Sequence, residues 1–111
     1  MDQLNHYRTL IEKIMTSHAE IPFPIGQLES KTIFDRSQDS YMLLTVGWNN
    51  GERIHHVVTH VDIIEGKLWV QHDVTEEGIA TELVAEGIPK SVIVLGFHEP
   101  EVRRHTDFAA A

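Results

Sequence analysis

Cysteine is absent from the 111-residue sequence, which removes disulfide frameworks, thiolate zinc sites and thiol nucleophiles together. A cytoplasmic setting is the expectation. Long apolar runs are missing too: no stretch approaches the roughly 18 apolar residues of a membrane span, and the start Met1-Asp2-Gln3-Leu4 lacks the basic and apolar regions of a signal peptide. Neither membrane insertion nor secretion is expected. Positive charge is scarce. Nine Lys and Arg stand against 17 Asp and Glu for a net charge of −8, and Arg103-Arg104 is the longest basic run. Duplex DNA binding rests on cations that neutralise phosphates, so this balance argues against direct, tight DNA binding by the monomer. Eight histidines qualify that reading, because several would protonate towards pH 6 and make association pH-sensitive. The seven glycines are dispersed, no Gly-rich phosphate loop forms, and no Gly-x-Ser-x-Gly elbow occurs.

What is present fits one α+β domain over residues 1–111. Hydrophobic content of 41% and charged content of 23% are ordinary for a folded chain that buries one core. Leu4, Tyr7, Ile11, Ile14 and Met15 recur at helical spacing, predicting an amphipathic helix over 3–18 with Asp2 as its cap. Ile21-Pro22-Phe23-Pro24-Ile25-Gly26 cannot continue it and reads as an extended connector whose apolar side chains lie over the core.

From about 31 to 72 the period becomes two, with turns at Ser37-Gln38-Asp39-Ser40, Asn49-Asn50-Gly51-Glu52 and Glu65-Gly66. That predicts four strands in an antiparallel meander. Two-residue loops at Asn50-Gly51 and Glu65-Gly66 set Val46 opposite His55, Leu44 opposite Val57, Met42 opposite Thr59, Val61 opposite Val70 and Ile63 opposite Leu68. All ten fall on one expected core face. Tyr41, Leu43, Ile54, His56, Val58, His60, Asp62, Trp69 and Gln71 then form a mixed second face, covered by the chain's own helix or proline connector or serving as a self-association or partner surface.

Residues 75–87 read as a second helix, with Thr75 as N-cap, Glu76 and Glu77 in the first turn, and Gly87-Ile88-Pro89 as its stop. Gly78 inside its first turn indicates close backbone approach. Val92-Ile93-Val94-Leu95-Gly96-Phe97 reads as a late strand buried on both sides, and Pro100 opens a short helical turn through Arg104. Phe108 pins the tail.

Three constellations could carry chemistry. His55-His56-Val57-Val58-Thr59-His60 is the densest histidine cluster, but on a strand His56 and His60 stand roughly 13 Å apart, too far to share an ion. Asp62, Glu65 and Lys67, with His60, offer the set a metal-dependent nuclease needs, although Glu65 and Lys67 flank a tight hairpin where solvated charges are ordinary. Phe97, His98, Pro100, Arg103 and Arg104 gather aromatic, imidazole and guanidinium groups, either as a solvated terminal turn or as a partner-contact patch. No catalytic centre, metal or cofactor is expected.

One resemblance runs through these segments. His60-Val61-Asp62-Ile63-Ile64-Glu65-Gly66-Lys67-Leu68-Trp69-Val70-Gln71, Thr75-Glu76-Glu77-Gly78-Ile79-Ala80, Gly87-Ile88-Pro89-Lys90 and Phe97-His98-Glu99-Pro100-Glu101-Val102-Arg103 resemble the XisI family, the fdxN element excision controlling factor. Tyr7, Phe34-Asp35-Arg36 and Gly47-Trp48-Asn49-Asn50-Gly51 extend the likeness upstream; His72-Asp73-Val74-Thr75 departs from it, since a glycine is expected before the threonine. The resemblance implies a part in programmed DNA excision in filamentous cyanobacteria, beside a recombinase complex and a companion protein called XisH. XisI-like and XisH-like proteins are also paired outside that system, so the implied partner is a firmer inference than the pathway. An acidic chain without a catalytic cluster fits an accessory factor that binds a XisH-like companion, with His60, Trp69, His98, Arg103 and Arg104 as contact groups and self-association through the mixed face or a sheet edge. The alternatives are a nuclease built on Asp62, Glu65 and His60, and an oligomeric DNA-binding module.

Overall fold

A computed structural model describes residues 2–24 and 27–111. Helix α1 (Gln3–Ala19) opens as its chemistry dictates, with the Asp2 carboxylate accepting from the Leu4 amide at 3.0 Å. Four strands follow, β1 (Gln27–Asp35), β2 (Ser40–Asn49), β3 (Glu52–Ile64) and β4 (Lys67–Asp73), and they form the expected antiparallel meander. Next come α2 (Ile79–Ala85), a 3-10 turn (Lys90–Val92), β5 (Ile93–Leu95) and α3 (Pro100–Arg103). β5 joins the sheet parallel to β4, so the sheet is mixed, in the order β1-β2-β3-β4-β5. The architecture is α+β.

Helices α1 and α2 lie on one face of the sheet. Tyr7, Leu10, Ile11, Ile14 and Met15 of α1 and Ile79, Ala80 and Leu83 of α2 are buried against Tyr41, Leu43, Val61, Ile63, Leu68 and Val70. No described helix is long and apolar enough to cross a membrane. Of the proline connector, Ile21-Pro22-Phe23-Pro24 line a shallow groove with Leu43, Thr45 and Val58; Phe23 is 38% exposed and Ile21 62%. Ile25 and Gly26 lie outside the described residues.

The register corrects one expectation. Val46–His55, Leu44–Val57, Val61–Val70 and Ile63–Leu68 pair as the turns require. A bulge between them, however, sets Leu43 opposite Thr59 and Met42 opposite His60. One extra residue on β3, Val58, sets the two turns' faces against each other: Thr59, Val61 and Ile63 keep the expected core face, while β2 and the turn-proximal part of β3, His55 and Val57 included, are reversed. Tyr41 and Leu43, expected outside, are core, whereas Met42, Leu44 and Val46 point to the face opposite α1 and α2. Val58 packs against the core as well. A second bulge, between Val61–Val70 and His60–His72, leaves Gln71 as the additional residue of β4.

The second helix starts later than Thr75. Gly78 is its N-cap at φ 90°, and a Cβ there would meet nothing closer than 3.7 Å, so backbone conformation rather than close approach demands glycine. Asp73 does the capping instead. Its carboxylate accepts from the Thr75 amide at 3.1 Å, the Thr75 hydroxyl at 2.7 Å and the Ile79 amide at 2.8 Å. The far end follows expectation: the Ile88 amide reaches the Leu83 carbonyl and the Gly87 amide that of Val84, a Schellman closure that buries Ile88. β5 is only three residues long; Ile93 and Val94 are fully buried, while Phe97, expected within it, is 48% exposed beyond the turn.

Two arginine forks fix α1 to the β1–β2 turn. Arg8 grips Asp39 with Nε at 2.7 Å and Nη2 at 3.1 Å, the Tyr41 hydroxyl donates to the same carboxylate at 3.0 Å, and Arg36 holds Glu12 at 2.9 and 2.8 Å. The bond from Arg8 holds the Asp39 carboxyl below its ordinary range, as that from Arg36 does for Glu12, and the Ser37 hydroxyl, followed by Gln38, draws Asp35 down to about 2. Burial, aided by the bond to Asp39, pushes the Tyr41 phenol up to about 12.

These carboxyls titrate lower in the folded chain than in the unfolded one, where values of roughly 4 apply. Their stabilisation is therefore complete above pH ~4 and is lost as pH falls through the depressed folded values. Tyr41 acts at the other end: its contribution is present below pH ~10 and fades as pH rises towards its folded value. Thermal melts from pH 7 down to pH 2 should show a melting temperature that drops chiefly below pH 4. Asp39→Asn should flatten that drop.

Candidate functional site

The face opposite α1 and α2 carries the candidate site. Successive strand residues alternate between faces, so His60, Asp62 and Trp69 project away from α1 while their neighbours Val61, Leu68 and Val70 enter the core. Asp62 is the centre of a polar group. Its Oδ1 accepts from the Ser40 hydroxyl at 2.6 Å and lies 2.8 Å from His60 Nε2, and its Oδ2 accepts from the Gln71 amide at 3.3 Å. Ser40 and His60 both engage the carboxylate rather than each other, so no serine-to-imidazole relay is assembled. His60 and Asp62 remain a quarter to a fifth exposed.

The C-terminal segment closes one side. After β5 the chain turns at Gly96, where a Cβ would come within 2.9 Å of Gln71 Oε1 and 3.2 Å of Trp69 Cε3. A larger residue here would have to displace the Gln71 side chain and press on the Trp69 ring and the Val70 carbonyl, each 3.2 Å away. The segment then places Arg103 over the indole of Trp69, its Cζ 5.1 Å from the ring centroid. Arg103 is itself held, with Nε donating to the His98 carbonyl at 3.0 Å and Nη1 to that of Ala110 at 3.1 Å. An arginine oriented by backbone carbonyls and stacked on an aromatic plane is preorganised for recognition. The same segment leaves Phe97 and Val102 48% and 43% exposed, and the His98 ring lies 4.5 Å from that of Phe97.

Of the five contact candidates, the structure gathers Trp69, Arg103 and His98 through direct contacts and brings His60 into the same face through Asp62, the strand partner of Trp69. Arg104 stands apart, paired with Glu101 at 2.8 Å on the exposed side of α3. Ser40 was not legible as a member, because it reads as a turn residue; Gln71 stands on the face expected for it, beside His60, Asp62 and Trp69, and the structure adds its bond to Asp62. For the nuclease trio, His60 and Asp62 meet, whereas Glu65 occupies the β3–β4 turn at φ 50°. Among the described residues, no three His, Asp or Glu side chains converge where one ion could be held.

Comparison with known proteins settles the family. The sequence matches the family described as XisI protein over residues 1–110. This chain belongs to the XisI family. A crystal structure at 1.30 Å of a XisI-like protein from Anabaena variabilis superposes with a TM-score of 0.90 at 36% identity, covering 97% of this chain and 99% of that one. The fdxN element excision controlling factor XisI from the same organism superposes with a TM-score of 0.84 at 35% identity, covering 99% and 100%. No curated protein matches the chain. The XisI likeness thus spans the helical layer, the mixed sheet and the C-terminal segment that carries Arg103.

Proposed function

We propose that this chain is an accessory factor in the control of DNA excision that works by docking onto a XisH-like companion, in the cytoplasm and without a catalytic step of its own. The observation that carries the reading is the Trp69–Arg103 stack, in a C-terminal segment that also exposes Phe97 and Val102. Aromatic and arginine side chains dominate the energetics of protein contacts, and here they are already ordered before a partner arrives. The net charge of −8 points the same way, since it favours a basic or mixed protein surface over a phosphate backbone. The name of the Anabaena variabilis relative supplies the excision context. Co-expression with the XisH-like protein of the same genome tests the reading: a complex that survives affinity and size-exclusion steps supports it. Separate elution of two folded proteins, or divalent-ion-dependent DNA cleavage by this chain that Asp62→Ala abolishes, would overturn it.

A further inference from the structure

The two edges of the sheet are finished differently. At β5 the edge is three residues long and the chain returns along it, with Val94 bridging Ala109 and the Ala109 amide donating to the Ile93 carbonyl at 2.8 Å. At β1 the edge runs for nine residues without proline or glycine, and among the described residues its backbone hydrogen-bonds only to β2. A long open edge is a template for another strand.

The side chains decide which strand. Gln27, Glu29, Lys31 and Ile33 form the exposed row of β1, and Leu28, Ser30, Thr32 and Phe34 the half-buried row. A lysine mid-edge ordinarily guards against pairing, yet Glu29 stands two positions away on the same face and gives the lysine a partner in a second copy. A two-fold axis perpendicular to the sheet keeps the faces matched and makes the new pair antiparallel. It also restricts the register to a few choices. Centring on Glu29 or Lys31 sets like charges opposite one another, and centring on Thr32 sets Glu29 against Asp35. Centring on Ser30 sets Glu29 opposite Lys31 twice and Leu28 opposite Thr32 twice, all four pairings favourable across strands.

We propose that β1 pairs with β1 of a second copy, antiparallel about Ser30, to join two five-stranded sheets into one continuous sheet. The contact is separate from the Trp69–Arg103 patch, so it stands or falls independently of the companion protein.

Analytical ultracentrifugation of the purified full chain over a concentration series, up to about 0.1 mM, tests the pairing. The wild type should be dimeric. Lys31→Glu and Glu29→Lys should each raise the dimer dissociation constant about tenfold or more, because every reversal acts at two symmetric positions. The double swap should restore dimerisation, which shows that the single variants fold. A monomeric wild type overturns the proposal. So does a dimer indifferent to both reversals but broken by Trp48→Ser, which would place the contact on the outer face, or a folded double swap that stays monomeric.

Discussion

Tyr41→Ala is expected to cost about 3–5 kcal/mol, a large part of the roughly 5–15 kcal/mol that separates folded from unfolded states. The ring is fully buried at the join between α1, β1 and β2, with the Phe34 ring 6.0 Å away. Its hydroxyl completes the Asp39 carboxylate that Arg8 grips. Removal therefore leaves a cavity under α1 and takes a donor from a partly buried carboxylate, two losses that act on the same junction. Tyr41→Phe separates them. It keeps the ring and deletes only the bond to a charged acceptor, for an expected loss of about 1.5–3 kcal/mol. Urea melts of the three proteins should differ in midpoint while keeping a common slope. Equal losses for the two variants would show that the ring packs less well than its burial indicates.

The second large effect concerns docking. Arg103→Glu should weaken the complex with the XisH-like companion by on the order of 100-fold, with Trp69→Ala at least 30-fold, as expected when an ordered interface anchor is reversed or truncated. Because Trp69 also packs under the Gly96 turn, its variant needs a folding control. Arg103→Glu needs less, since its guanidinium is held by carbonyls at the surface. Arg104→Ala supplies the contrast: its exposed pair with Glu101 is worth at most about 1 kcal/mol, and binding should hardly change. An Arg104 effect as large as that of Arg103 would move the contact to the outer side of α3.

Much of this architecture was legible because its signals are local. Asp2 caps α1, Asn50 and Gly51 turn the β2–β3 hairpin, and Gly87-Ile88-Pro89 ends α2, each through chemistry confined to a few residues. What failed depended on distance along the chain. The β2–β3 pairing was right from its turn as far as Leu44–Val57 and wrong from Leu43 on, because an unmarked bulge at Val58 shifts the register and carries Tyr41 and Leu43 inward. The cap of α2 was misplaced for a related reason: Asp73, at the end of β4, reaches Ile79 across six residues, which no capping pattern scores. At the site, tryptophan and arginine drew attention as residue types. Their stacking depends on Gly96 passing over Gln71 and Trp69, a tertiary arrangement.

The most direct measurement is a calorimetric titration of the purified chain with the purified XisH-like protein at physiological salt, beside the same titration with a short DNA duplex. A docking factor should give saturable heat with the protein that Arg103→Glu abolishes, and none with the duplex alone. Tight, salt-sensitive binding to the duplex without any response to the protein would contradict the account.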